Sequence, residues 1–336
     1  MSTSTPAPAI AALRALLSTP RRIAIVTHHN PDGDAIGSSL GFMHVLKSAG
    51  HTVQVLLPNA PPSFLHWMPG YAGTIAHDTD TAKATEAIQQ CEALFCLDFN
   101  RLDRVERMQE LLKTAPMKVL IDHHREPDDF DISFSDTGAC ATSQMVFDIV
   151  EAMGWSQLIS ADAATCLYTG IMMDSGSFRY SSTTPHTHRV AAALMERGAV
   201  PDTIHSAVLD DNTHDRLRLL GFALSERLVV HPELGTATIT LSMADQKRFN
   251  FRPGDTEGLV NHGLSIRGIR LAAFFMERSD RVKVSLRSKG QLPADRICAD
   301  HFLGGGHRNA AGGHAFEPMQ QMVDRFLAVI PPYLKL

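Results

Sequence analysis

Short apolar runs that stop on Asp or His are the feature that most limits what this chain can fold into. Ile23-Ala24-Ile25-Val26 leads into His28-His29-Asn30-Pro31-Asp32-Gly33-Asp34. Ala93-Leu94-Phe95-Cys96-Leu97 leads into Asp98-Phe99-Asn100, and Lys118-Val119-Leu120-Ile121 into Asp122-His123-His124. A fourth segment, Asp174-Ser175-Gly176-Ser177, closes a helix-like run over residues 163–173. Apolar runs this short, bounded by polar loops, fit strands buried on both faces. Such strands need helices above and below them. Ile36, Leu40, Met43 and Leu46 recur at helical spacing, residues 105–112 and 143–153 read as helices, and Val53-Gln54-Val55-Leu56-Leu57 is a further strand stopped by Pro58. The alternation predicts an α/β fold with a parallel sheet flanked by helices. Ligands in these sheets bind beyond the carboxyl ends of the strands, where three of the four Asp/His segments fall.

The second half has another rhythm. Residues 217–228 look helical and could join two domains, about the number that 336 residues suggest. Leu228-Val229-Val230 and residues 237–241 flank the turn Pro232-Glu233-Leu234-Gly235, which predicts a hairpin. Residues 271–276 and 282–286, around Ser279-Asp280, predict a second one. In its later strand Val282, Val284 and Leu286 point one way, and Lys283, Ser285 and Arg287 the other. A Gly304-Gly305-Gly306-His307 loop then precedes a final helix from about Met319. The expected division is a first domain over residues 1–205, a helical linker over 206–228 and a smaller α/β domain over 229–336, with the active-site cleft between the two domains.

Bulk properties narrow the function. Hydrophobic residues make up 44% and charged residues 20%, which suits a globular protein with a real core. A net charge of −5 argues against capture of long nucleic acid, including long DNA, as the main task. It leaves phosphate substrates open, because bound cations reverse the local field. Five cysteines without a CxxC pair read as buried thiols of a reducing compartment. The first twenty residues lack a secretion signal, and no run approaches the roughly 18 apolar residues of a membrane helix. The cytoplasm is the expected location, with no membrane partner.

A lone Asp after a strand is ordinarily a turn or cap residue. Four Asp/His segments arranged around one sheet edge point instead to metal. His28, Asp32 and Asp34 lie close in sequence, and Pro31 and Gly33 turn the loop tightly enough for neighbouring carboxylates to serve different ions. Oxygen and imidazole ligands without thiolate favour Mn²⁺, with Mg²⁺ or Co²⁺ as alternatives. Asp32, Asp34, Asp98 and Asp174 bring four negative charges, which two divalent ions would balance. Two ions about 3.5–4 Å apart can stabilise both the entering and the leaving oxygen at phosphorus.

The same residues carry a family resemblance. Asp122-His123-His124 is similar to the signature triplet of the DHH phosphoesterases. His28-x-x-Pro31-Asp32-x-Asp34 resembles their first motif, Asp98 their second and Asp174 their fourth. Gly304-Gly305-Gly306-His307-Arg308-Asn309-Ala310-Ala311-Gly312 resembles the substrate loop of the DHHA1 domain. The resemblance covers nearly the whole chain, in the expected order, and its layout looks most like the bifunctional oligoribonuclease and PAP phosphatase type. It implies that His28, Asp32 and Asp98 bind one metal ion and that Asp34, Asp98, His123 and Asp174 bind the other, with Asp98 bridging. It further implies that Asp122 supports the site, and that His124 contacts the scissile phosphate and assists proton transfer.

For the second domain, glycine backbone at Gly305 and Gly306 can approach a phosphate closely. The resemblance suggests that His307 and Asn309 face the cleft. Arg308, Arg287 on its polar strand face and Arg179 shortly after Asp174 are the candidate phosphate-binding cations. The expected substrates are short RNA (nanoRNA, dinucleotides) or a mononucleotide bisphosphate, 3′-phosphoadenosine 5′-phosphate. Cyclic di-AMP or pApA hydrolysis is the neighbouring reading and a non-catalytic nucleotide sensor the reading from another class. A homodimer is left open.

Overall fold

The computed structural model describes residues 6–335, so the first five residues of the segment read for a secretion signal lie outside them. The chain divides into two compact units, one ending at Asp211 and one starting at Asn212.

The first unit contains, in chain order, α1 (Ala7–Leu16), β1 (Arg22–Val26), α2 (Gly33–Ser48), β2 (Thr52–Leu57), β3 (Ile75–Ala76), α3 (Thr81–Gln90), β4 (Ala93–Leu97), α4 (Gln109–Lys113), β5 (Lys118–Asp122), β6 (Ile132–Ser135), α5 (Thr142–Ala152), α6 (Ala161–Asp174), α7 (Pro185–Glu196) and α8 (Pro201–His205). Its six strands form an all-parallel sheet in the order β3-β2-β1-β4-β5-β6. Side chains alternate across it. Ile23 and Ile25 pack with Ile36, Leu40 and Val146 on one face, while Ala24 and Val26 pack with Ala84, Ile88 and Leu112 on the other. The order reverses between β1 and β4, so the loops leaving these neighbours diverge and open a crevice, the place where doubly wound sheets bind ligands.

Two local features shape that crevice. Asp32 caps α2, its Oδ1 accepting the backbone N–H of Asp34 (3.0 Å) and Ala35 (3.1 Å), as an Asp N-cap does. The helix then lies unusually close to α6. A Cβ on Gly37 would sit 2.6 Å from the Cys166 carbonyl oxygen and 2.8 Å from the Gly170 nitrogen, and one on Gly33 would strike Met173. The contact pairs the start of α2 with the end of α6, so Asp34 and Asp174 come to the same end of the helix pair.

The second unit contains α9 (His214–Phe222), β7 (Leu228–His231), β8 (Thr236–Leu241), α10 (Met243–Arg248), α11 (Leu259–Ser265), β9 (Leu271–Glu277), β10 (Val282–Ser288), α12 (Ala294–His301), β11 (Gly305–His307), β12 (Ala310–Ala315) and α13 (Met319–Val329). Both expected hairpins form, β7 with β8 and β9 with β10. The sheet order is β11-β12-β10-β9-β8-β7, and β8 runs parallel to β9 because α10 and α11 carry the chain back between them. One face packs Val284 and Leu286 against Ile297, Phe302 and Phe326. The opposite face buries Ile239 and Phe274 with Leu219 and Leu259, and carries the polar stripe of β10.

Three expectations need correction. Residues 105–112 are not one helix. A 3₁₀ segment, Leu102–Met108, breaks at Glu106 (φ 47°, ψ −114°) before α4. The Arg104 carbonyl accepts the His29 N–H at 2.8 Å and Glu106 pairs with His29 Nδ1 at 3.1 Å, so this segment bends to brace the loop after β1. Residues 217–228 are split too. The α-helix ends at Phe222 and the chain unwinds into a π turn, Ala223–Arg227, with Arg227 held by Asp245. Finally, the glycine run is a strand rather than a loop.

Candidate metal centre

His28 follows β1, Asp98 follows β4, and His123 and His124 follow β5, so the sheet itself delivers these side chains to its carboxyl edge. Asp32 and Asp34 come from the start of α2 and Asp174 from the last residue of α6. Potential ligand atoms of His28, Asp32 and Asp98 lie within 4.8 Å of one another, and so do those of Asp34, Asp98 and His123. Asp98 belongs to both groups. Its Oδ2 is 3.6 Å from His28 Nε2, and its Oδ1 is 3.5 Å from His123 Nε2. Asp174 Oδ2 lies 3.5 Å from the same His123 nitrogen, and Asp34 Oδ2 3.9 Å from it.

Backbone carbonyls set the tautomers. His28 Nδ1–H donates to the His29 carbonyl at 2.9 Å, and His123 Nδ1–H donates to the Ala139 carbonyl at 3.3 Å. Each ring therefore turns Nε2 toward the carboxylates, the arrangement a metal-ligating imidazole adopts. Asp98 has a left-handed backbone (φ 65°), a conformation that costs energy for a residue with a Cβ and recurs at functional sites. Asp122, fully buried, joins Asp98 and His124 in a further group whose ligand atoms lie within 4.8 Å of one another, but both of its oxygens already accept from His124.

Burial and mutual repulsion set the charge states. Burial, then the charges of Asp98 and Asp174, push the Asp34 carboxyl well above its ordinary range. Burial, countered by His123, raises Asp174 to about 6. At Asp98 burial works in the same direction, but the hydrogen bond with His28 and the charges of His124 and His123 outweigh it and hold the carboxyl below its usual value. Burial opposes protonation of His123, yet Asp174, Asp98 and Asp34 raise it to about 9. Oxygen donors and imidazole Nε2 atoms around such a focus of negative charge fit divalent ions.

Sequence reasoning missed one group. Thr142 Oγ1 donates to Asp98 Oδ1 at 2.9 Å, and the backbone N–H groups of Thr142 and Ser143 donate to Asp34 Oδ2 (2.6 Å) and Oδ1 (2.9 Å). The readable signal was the start of α5, whose N-cap residue is Ala141 and has no side chain to cap it.

Away from the Asp and His cluster, Arg179 is exposed and its Nε–H donates to the Gly176 carbonyl at 2.7 Å. In the second unit, Arg287 lines a cavity of about 100 Å³ with Lys283, Ser285, Thr256, Glu257 and Phe274. Gly305 has open space where a Cβ would be. Gly304 and Gly306 instead press on β12, where a Cβ would come within 2.0 Å of the Gly312 carbonyl oxygen and 2.6 Å of that of Ala310, respectively. His307 pairs with Ala310 in the strand ladder. Arg308 bonds Gln291, and Asn309 Nδ2 donates to Ser288 Oγ (2.8 Å) and the Gly290 carbonyl (3.0 Å), which anchors the hairpin to the turn after β10.

Comparison with known proteins places the chain in a family. The DHH family N-terminal domain matches residues 22–171, and the DHHA1 domain matches residues 236–335. A bifunctional oligoribonuclease and PAP phosphatase NrnA from Thermus thermophilus is 33% identical over 86% of this chain and 83% of its own. The protein of the same description from Bacillus subtilis is 26% identical over 91% of this chain and 92% of its own. The crystal structure of an exopolyphosphatase-related protein from Bacteroides fragilis superposes with a TM-score of 0.95 at 36% identity, covering all of both chains. With both domain models matched in order and a cluster of Asp and His side chains at the carboxyl edge of the first sheet, the chain belongs to the DHH family, with a DHHA1 domain following.

Proposed function

We propose that this protein is a metal-dependent phosphoesterase that hydrolyses short oligoribonucleotides to nucleoside 5′-monophosphates and converts 3′-phosphoadenosine 5′-phosphate to AMP. The observation that carries the reading is the sharing of Asp98 between two groups of ligand atoms, the pattern of a two-ion centre. His28, Asp32 and Asp98 would hold one ion, and Asp34, Asp98, His123 and Asp174 the other, with Mn²⁺ preferred for this oxygen and imidazole set. The ions supply charge neutralisation and Lewis acidity at phosphorus.

The protein's own groups supply the rest. Hydrolysis forms one P–O bond from water, breaks the ester P–O bond and leaves the departing oxygen in need of a proton. His124, held through Nδ1 by Asp122, directs its other ring nitrogen to that transfer. We assign selection of the substrate to the second unit, through Arg287, Gly305, Gly306, His307, Arg308 and Asn309, with Arg179 contributing from the first. In functional terms residues 1–205 cut, 206–228 connect and 229–336 select. No helix among the described residues is long and apolar enough to cross a membrane. Five free, buried cysteines support a reducing cytoplasm.

The test is a substrate panel with purified protein and Mn²⁺, the products resolved by chromatography. Monophosphates from a diribonucleotide and inorganic phosphate from 3′-phosphoadenosine 5′-phosphate are expected. Absence of Mn²⁺-stimulated turnover of either compound overturns the reading. Faster turnover of cyclic di-AMP or pApA would reassign the substrate and keep the chemistry.

A further inference from the structure

We propose that Thr142 is a positioning residue that locks the orientation of two metal-facing carboxylates at once. The inference rests on the metal-dependent reading above. A carboxylate at a strand end can rotate about its last torsion, and a residue that would serve two ligand groups needs that rotation held. Thr142, fully buried, removes that freedom at Asp98 by donating its Oγ–H to Oδ1 at 2.9 Å. Oδ1 is thereby fixed on the side of His123, which leaves Oδ2 on the side of His28.

The same residue acts on Asp34 through its backbone. Its N–H donates to Asp34 Oδ2 at 2.6 Å, and the next N–H, from Ser143, donates to Oδ1 at 2.9 Å. Asp34 thus caps α5 from another helix, in place of the side-chain cap that Ala141 cannot give. Glycine at position 170 keeps the space, since a Cβ there would lie 2.8 Å from Asp34 Oδ1. Asp34 from α2 and Asp98 from β4 are therefore tied to one residue, and the first turn of α5 sets their relative orientation. Groups of this kind, which bind ligands rather than metal, commonly control affinity about 10- to 100-fold.

Thr142→Val removes the hydroxyl at nearly constant shape and keeps the backbone donor, while Thr142→Ser keeps both. Mn²⁺ binding by calorimetry is expected to weaken about tenfold or more in Thr142→Val and to return in Thr142→Ser. The electron paramagnetic resonance signature of a coupled Mn²⁺ pair is expected to be lost at stoichiometric metal in the first variant and kept in the second. Where the Val variant does not fold, Thr142→Ala is measured in its place. Wild-type affinity and a wild-type coupled signal in Thr142→Val or Thr142→Ala overturn the inference. Wild-type protein that binds two Mn²⁺ ions and cleaves no nucleotide overturns the proposed activity while the role of Thr142 stands. Wild-type protein that binds no Mn²⁺ overturns both.

Discussion

Asp122 grips His124 at two points. Its Oδ2 accepts the backbone N–H at 2.9 Å, and its Oδ1 accepts the ring Nδ1–H at 2.7 Å. The double contact fixes both the position of the ring and its tautomer. Asp122→Asn keeps the shape but puts an amide donor against one of these two N–H groups. We expect kcat to fall about 10- to 100-fold, with Mn²⁺ affinity within a few-fold of wild type. Steady-state kinetics beside a Mn²⁺ titration check this. A loss of metal affinity as large as the loss of rate would show that Asp122 serves the ions instead.

Asp98→Ala should behave differently. It removes the residue common to both ligand groups, so turnover and Mn²⁺-induced thermal stabilisation should both disappear. The metal-free protein should remain folded but with reduced stability, because the hydrogen bond from Thr142 and the favourable contacts with His28 and His123 leave with the carboxylate. Circular dichroism with and without Mn²⁺ separates the two effects, and retained Mn²⁺ stabilisation would contradict the shared role.

The pH dependence can be followed through two of the raised groups, Asp174 and His123. Asp174 titrates near 6 in the folded, metal-free chain, above its ordinary 3.8. Its contribution to stability is full below the ordinary value and is lost as pH rises through about 6. His123, raised from 6.5 to about 9, contributes fully below 6.5 and loses that contribution as pH rises through about 9. Metal must displace these protons. Stabilisation by Mn²⁺ should therefore grow between pH 5 and pH 8, and calorimetry in buffers of different ionisation enthalpy should detect proton release near neutral pH. Stabilisation that shrinks over this range would refute the assignment.

Glycines offer a contrast within one chain. Gly37→Ala places a methyl 2.6 Å from the Cys166 carbonyl and should destabilise by about 1–3 kcal/mol. Gly306→Ala should also destabilise, since its φ of 141° and the nearby Ala310 carbonyl both reject a side chain. Gly305→Ala has open space and should fold with wild-type stability. Any rise in KM for that variant then reports on substrate contact. Chemical denaturation of the three variants is the measurement, and marked destabilisation by Gly305→Ala would be the contrary result.

What could be read from the sequence was whatever leaves a periodic or chemical trace. The four long strands of the first sheet stand out because both faces are buried, and Asp98 and Asp122 could be placed because each directly ends such a run. β3, two residues long, and β6, an edge strand of alternating burial behind a run of aspartates, leave little signal. The bend at Glu106 is imposed by the loop after β1, a contact distant in sequence from any helical pattern. The glycine run misled in a simpler way. Gly304 and Gly306 are glycines because a neighbouring strand leaves no room, which looks the same in the sequence as a loop kept open for a ligand. The start of α5 was readable, but what Thr142 holds there was not, because its partners are 108 and 44 residues away.

The contact of α2 with α6 has a mechanical consequence. Helices separated by large side chains have adjustable spacers, and rotamer changes let them drift by fractions of an ångström. At Gly37 and Gly170 no spacer exists, because backbone rests on backbone. The gap there is set by the contact of backbone atoms. Asp34 and Asp174 stand at the ends of the two helices that meet in this joint, so the spacing of their backbones is set by the contact at Gly37 and Gly170 rather than by any side chain.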